Sequence, residues 1–291
     1  MSHHLHRARY ARSLNNAEKE VQCLLCPHLC RIALNQRGKC RVRVNREGTL
    51  FAENYAKVTA AALDPLEKKP LKRFFPGKKI FSLGTFGCNL SCGYCQNWQI
   101  SQSDTVRADL VLPEEAVKKA QELQAYGNIG LAYTYAEPLI WYEYVLDTAR
   151  LARAAGLKNV LVTNGYINPQ PLQEVLPYLD AVNLDIKSFT EDFYRRVCGG
   201  SLRPVLKNAA IIAESAHLEI TTLLIPGFND SPEEIGRLAS CIAAIDKNIP
   251  LHLTRYFPYY KFAQPATSLE SMYKARDRAA VYLSDVFLGN I

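Results

Sequence analysis

The sequence predicts an α/β protein: a partial (β/α)6 barrel with a small cysteine-rich module at its N-terminus. Three observations carry that expectation. From residue 80 onward, short β-rich runs alternate with stretches of helical periodicity. Such alternation builds a parallel sheet with right-handed crossovers. Polar and glycine-rich residues follow the strand ends, where loops of α/β folds converge on ligands. Six units are two short of a closed eight-fold barrel, so an open barrel is expected, with a doubly wound sheet as the rival.

The elements follow in order. Ile80–Thr85 is a short β-rich run. Residues 113–126 have helical spacing, and Pro113 with Glu114 and Glu115 suits a first turn. Residues 129–135 read as strand, 139–155 as helix, 159–163 as strand and 168–178 as a short helix. Residues 181–186 are strand, 190–216 contain helix and 218–225 are strand. Residues 231–245 are helix, opened by Ser231 as cap, Pro232 at the first position and two acids. Residues 251–256 form the last expected strand, and 268–287 read as helix. Upstream, 1–20 look like a loose polar start that includes His3, His4 and His6, and 21–60 form a loop-and-strand module. Residues 64–79 hold three prolines among lysines and an arginine, and read as a surface connector. The expected division is 1–75 for the cysteine-rich segment and connector, and 76–291 for the barrel.

Composition excludes several classes. The chain has 291 residues, 48% hydrophobic and 22% charged, which suits a folded protein rather than a disordered one. No apolar run approaches the ~20 residues a membrane span needs, and the N-terminus has no signal-like apolar core, so a cytoplasmic protein is expected. The formal charge of +7 counts every cysteine as a neutral thiol; thiolate ligands would lower it, so nucleic-acid binding is not expected.

Nine cysteines are many for a cytoplasmic chain, and they are grouped. Cys23, Cys26, Cys30 and Cys40 form one set and Cys88, Cys92 and Cys95 another, while Cys198 and Cys241 stand alone and read as small core residues. In Gly87-Cys88-Asn89-Leu90-Ser91-Cys92-Gly93-Tyr94-Cys95, three thiolates on one loop can bind three corners of an iron–sulfur cube. The fourth iron is then open, as binding of a substrate or cofactor requires. A zinc knuckle is the alternative, although Cys-x3-Cys-x2-Cys lacks its usual paired Cys-x2-Cys. The first set supplies four thiolates, enough to close a zinc site or hold a second cluster, and its spacing does not choose between them.

With its aromatic Tyr94, the second motif resembles the signature of the radical S-adenosylmethionine superfamily. The closer resemblance is to the radical-SAM component of the AmmeMemoRadiSam system, related to pyruvate formate-lyase-activating enzymes. It is carried by 23–43, 84–101, 132–144, 183–188 and 250–258 and covers nearly all of 20–290. It implies a 4Fe–4S cluster on Cys88, Cys92 and Cys95 that chelates S-adenosyl-L-methionine at its open iron. It also implies reductive cleavage to a 5′-deoxyadenosyl radical that abstracts hydrogen from an unidentified substrate. Glu137, in Thr134-Tyr135-Ala136-Glu137-Pro138, matches the acid of a Gly-Gly-Glu-Pro that holds the methionine ammonium; Tyr135 and Ala136 replace the glycines. Asp185 and Lys187 match an Asp-x-Lys near the ribose; as i and i+2 they share one face of a strand. Asn164, between Thr163 and Gly165, and Tyr94 are placed beside the same ligand, and 224–230 match an apolar turn beside the adenine. A histidine of the activating enzymes aligns with Phe257; His252 reads as a core or strand-end residue and does not take over that role. The resemblance also implies a cysteine-rich tail, which has no counterpart up to Ile291.

Three functions compete on this reading. One is a radical enzyme served by a flavodoxin or ferredoxin reductant, with a Memo-like partner. A second is an activase that installs a glycyl radical on a partner protein. The third is a non-catalytic iron–sulfur or zinc-binding carrier or scaffold. Tyr133, Tyr135, Tyr142, Tyr256, Tyr259 and Tyr260 could line a cavity or simply pack a core.

Overall fold

The structure, a computed structural model, describes residues 6–14, 17–103 and 106–291; His3 and His4 lie outside them. Its main sheet has eight strands in sequence order: β1 (Ala60–Pro65), β2 (Lys79–Gly84), β3 (Asn128–Thr134), β4 (Lys158–Thr163), β5 (Ala181–Asp185), β6 (His217–Leu224), β7 (Leu251–Arg255) and β8 (Val286–Gly289). All pairs are parallel except β1 with β2. Spatial order equal to chain order is what successive right-handed crossovers produce, and the sheet is an open, partial barrel. Strands such as β5 are buried along nearly their whole length, which explains their continuous apolar character.

The helices α1 (Pro113–Glu122), α2 (Tyr142–Ala154), α3 (Pro169–Val175), α4 (Leu202–Ala213), α5 (Pro232–Asp246) and α6 (Leu269–Ala279) cover the sheet. Their starts follow the local chemistry. Glu115 Oε2 accepts the Leu112 amide at 2.7 Å ahead of Pro113, and Ser231 Oγ accepts the Glu234 amide at 3.2 Å.

Several expectations need correction. The sheet has two more strands than the six expected. The helix over 268–287 stops at Ala279, and Val286–Gly289 joins the sheet beside β7; four residues are too few to show a period of two. The polar start is not loose over its described part. His6–Arg7 pairs with Thr49–Ala52, and Ala11–Ser13 pairs with Val21–Cys23, giving the module two three-stranded sheets. The main sheet itself begins at Ala60, upstream of residue 76.

The last correction concerns the connector. Much of it is exposed, as expected, but Leu66, Leu71 and Phe74 are buried against Ile80, Ala132, Val160 and Ala181, so these side chains anchor the segment as a plug in the barrel. Glu219, fully buried in β6, fastens the plug. It accepts the backbone amides of Lys72 (3.0 Å) and Arg73 (2.7 Å) and pairs with His217 (3.0 Å) and His252 (2.6 Å). His252 is therefore a core partner of this carboxylate. Burial alone would raise the Glu219 pKa, but these four partners hold it at about 2. A depressed carboxylate pKa contributes stability above its unfolded value and loses it as pH falls toward the folded one. Stability should therefore drop by roughly 3 kcal/mol between pH 4.5 and about 2, with Glu219→Gln flattening that limb in urea titrations. An unchanged acid limb in the variant would refute this.

Candidate active site

The motif loop begins where β2 ends. Gly87 has φ +86°, and a Cβ there would stand 2.6 Å from the Cys40 carbonyl oxygen, so glycine alone lets this loop pass against the module. Cys88, Cys92 and Cys95 line one cavity of about 410 Å³ at the C-terminal end of the strands. Tyr94, Glu137, Asn164, Asp185 and Lys187 line the same cavity, although they come from four separate loops. Its floor includes Lys69 and Pro70 of the plug.

Each motif sulfur meets a donor. Cys88 Sγ accepts the Leu90 amide at 3.3 Å and faces Asn164 Nδ2 at 3.7 Å. Cys95 Sγ lies 3.2 Å from Ser101 Oγ. The Cys198 thiol hydrogen-bonds Cys92; this contact, reinforced by the Lys187 ammonium, outweighs burial and draws the Cys92 pKa below its ordinary value. Burial pushes Cys88 and Cys95 upward. Three soft donors spread around one cavity, with hydrogen-bond donors aimed at their sulfurs, fit the three-cornered grip of a larger cluster.

The surrounding residues interlock. Glu137 is buried; its Oε1 accepts Thr163 Oγ1 at 2.5 Å and the Leu139 amide at 2.9 Å, and its Oε2 accepts the Asn164 amide at 2.8 Å. Burial still raises its pKa against these three donors. Asn164 Nδ2 also reaches Asn89 Oδ1 at 3.0 Å, which ties the β4 loop to the motif loop. The neighbouring Gly165 has φ +64°, and a Cβ there would meet Leu184 at 2.4 Å. Asp185 and Lys187 form an ion pair through Asp185 Oδ2, leaving Asp185 Oδ1 buried without a protein partner. The Lys187 pKa lies well above its ordinary value: burial opposes the charge, but Asp185 and the nearby cysteine sulfurs prevail.

Tyr135, expected from the resemblance to replace a glycine, still adopts the left-handed φ of +70°. The strain is held by three contacts: its hydroxyl donates to Asp64 at 3.0 Å, Lys69 Nζ sits 4.8 Å from its ring centre, and Asn97 Nδ2 donates to its carbonyl at 2.5 Å. Tyr94 packs between Phe193 and Phe262, and its hydroxyl lies 3.9 Å from Cys198 Sγ.

Other expectations resolve differently. Of the six tyrosines weighed for the cavity, Tyr135 alone lines it; Tyr133, Tyr142 and Tyr256 are core, and Tyr259 and Tyr260 are exposed. Phe257 is exposed, with the Arg255 guanidinium over its ring. The turn at 224–230 works from behind the wall, where Asn229 Nδ2 donates to the Lys187 carbonyl at 2.7 Å. Sequence reasoning missed Cys198, Lys69 and Asp64. A lone cysteine and two residues of a charged connector give no spacing signal, and only folding brings them to the site.

The first cysteine set is separate from this cavity. Cys23, Cys26, Cys30 and Cys40 line a second, much smaller one with Arg43 and Ile140. Burial pushes the Cys23 thiol to about 11 and that of Cys26 to about 12.

Comparison with known proteins agrees with this geometry. Residues 82–239 match the sequence profile of the radical SAM superfamily. The chain is 39% identical over 280 residues to an uncharacterized protein of Methanocaldococcus jannaschii, covering 94% of this chain and 82% of that one. It is 28% identical over 205 residues to the pyruvate formate-lyase-activating enzyme of Clostridium pasteurianum, covering 67% and 82% respectively. The crystal structure of a radical SAM methyltransferase from Sphaerobacter thermophilus superposes with a TM-score of 0.57 at 12% identity, covering 98% of this chain and 76% of that one, which speaks to fold alone.

Proposed function

Because the chain belongs to the radical SAM superfamily, we propose that Cys88, Cys92 and Cys95 hold a 4Fe–4S cluster and leave its fourth iron to S-adenosyl-L-methionine. When bound, the cluster supplies the electron that splits the sulfonium into methionine and a 5′-deoxyadenosyl radical. The chain's own residues position and enclose the reactants. Asp185 Oδ1, buried and unpartnered, is the acceptor for a ribose hydroxyl, and Lys187 fixes the carboxylate that carries it. The carboxylate of Glu137 joins the β3 and β4 loops and presents its remaining lone pair on Oε2 to the methionine ammonium. Tyr94, backed by Phe193 and Phe262, gives the cavity an apolar wall that keeps water from a radical.

The observation that carries this reading is the convergence of three donor-supported thiols and that orphan carboxylate oxygen on one cavity. Asp185→Asn should raise KM for S-adenosylmethionine about ten- to hundredfold and change kcat much less, as loss of a charged hydrogen bond predicts. A kcat loss at unchanged KM would reject the ribose role.

Hydrogen abstraction from an unidentified substrate is the reading supported, with electrons from a flavodoxin- or ferredoxin-type reductant. Similarity to an enzyme named as a pyruvate formate-lyase activator favours a second one, in which the substrate is the glycine of a partner protein. Incubation with a candidate glycyl-radical or Memo-like protein separates the two: a protein-borne radical signal selects the activase. The remaining cysteines, Cys23, Cys26, Cys30 and Cys40, we propose as a second metal site.

A further inference from the structure

Cys23, Cys26, Cys30 and Cys40 line one small cavity, and its wall includes a cation. Arg43 lines this cavity, is fully buried, and keeps its Nε–H without a partner although its other nitrogens are engaged. A buried orphan donor beside four thiols is satisfied once those thiols become anionic.

Size then selects the occupant. The cavity lined by Cys23, Cys26, Cys30 and Cys40 measures about 10 Å³, against about 410 Å³ for the motif cavity. That is space for roughly one water-sized sphere, and its other walls include Leu25, Ile32 and Ile140. A cube of four irons and four sulfides does not fit there; one ion does. Four thiolates around one ion make a closed tetrahedral site with no position left for substrate. Among the described residues the donors are not yet gathered on a common point, so the final closure accompanies binding and proton release.

We infer that Cys23, Cys26, Cys30 and Cys40 bind a single soft tetrahedral cation of the zinc class, in a structural site. The inference deepens the second-metal reading above by naming the ligand. The site also bears on the active site, because the module it closes touches the motif loop: His28 Nε2 lies 2.7 Å from the Asn89 carbonyl oxygen.

The test is metal analysis of the full chain. In the Cys88→Ala/Cys92→Ala/Cys95→Ala variant, elemental analysis should still find about one zinc per chain and no sulfide. Adding Cys26→Ala and Cys40→Ala should remove that zinc. Should those substitutions prevent folding, chelator-stripped wild type titrated with Co²⁺ should develop sulfur-to-cobalt charge-transfer absorption that saturates near one equivalent and is reversed by Zn²⁺. Iron with sulfide in the triple variant would overturn the single-ion inference while leaving a second metal site in place. No retained metal and no cobalt band would overturn both. Either result leaves the Cys88, Cys92 and Cys95 assignment untouched.

Discussion

Cys92→Ala is expected to lower 5′-deoxyadenosine release by more than about a hundredfold, since even groups that only support a metal ligand contribute ten- to a hundredfold. The measurement is product release from anaerobically reconstituted protein supplied with dithionite and S-adenosylmethionine. Cys92 is the most informative of the three because its environment is the most specialised. The Cys198 thiol and the Lys187 ammonium both face it, and it is the one motif thiol whose pKa lies below its ordinary value. On the proposed assignment its loss removes one of the three cluster ligands, beside the Cys198 sulfur that lies 3.9 Å from the Tyr94 hydroxyl. Variant and wild type releasing product equally would leave a carrier or scaffold and reject the catalytic reading.

Arg43→Met should destabilise the fold by about 3–5 kcal/mol, the range for stripping one partner from a buried ion pair. Arg43 Nη2 donates to both carboxylate oxygens of Glu143, at 2.9 and 2.8 Å, and its Nη1 donates to the Arg9 carbonyl at 3.0 Å. Both side chains are almost wholly shielded from water, at 1% and 3% exposed. The pair joins the cysteine-rich module to the start of α2, so the variant leaves a carboxylate stranded between two parts of the structure. Burial opposes the guanidinium charge, yet Glu143 and the facing sulfurs of Cys23 and Cys40 keep the Arg43 pKa above even its ordinary value. Urea denaturation measures the loss. The double variant Arg43→Met/Glu143→Leu should recover much of it, because two apolar side chains leave no charge unpaired. A single-variant loss below about 1 kcal/mol would show that water reaches the pair.

The order of strands and helices was legible because hydrophobic periodicity is a local property: each of the six expected strands, and each main helix except the last, which ends at Ala279, occupies the predicted stretch to within a few residues. Most of what escaped was either too short or too polar to show a period. Val286–Gly289 has four residues, and His6–Arg7 and Ala11–Ser13 are polar strands stabilised by partners far along the chain. The connector 64–79 misled for the opposite reason. Its lysines suggested solvent throughout, whereas Leu66, Leu71 and Phe74 are buried in the barrel and Lys69 is masked by Asp64 and Tyr135.

The sequence by itself determined which groups converge. Thiols spaced for a cluster, and an acid, an amide and an Asp-x-Lys each set just after a strand, all reach the same cavity because loops at strand ends converge. Tertiary structure alone decided how those groups are tuned. Cys198 against Cys92, the orphan oxygen of Asp185, the contacts restraining Tyr135, and the small closed cavity of the second cysteine set all join residues distant in the chain. Spacing records what one segment can offer, whereas hydrogen-bond satisfaction, burial and cavity size exist only after separate segments have packed together.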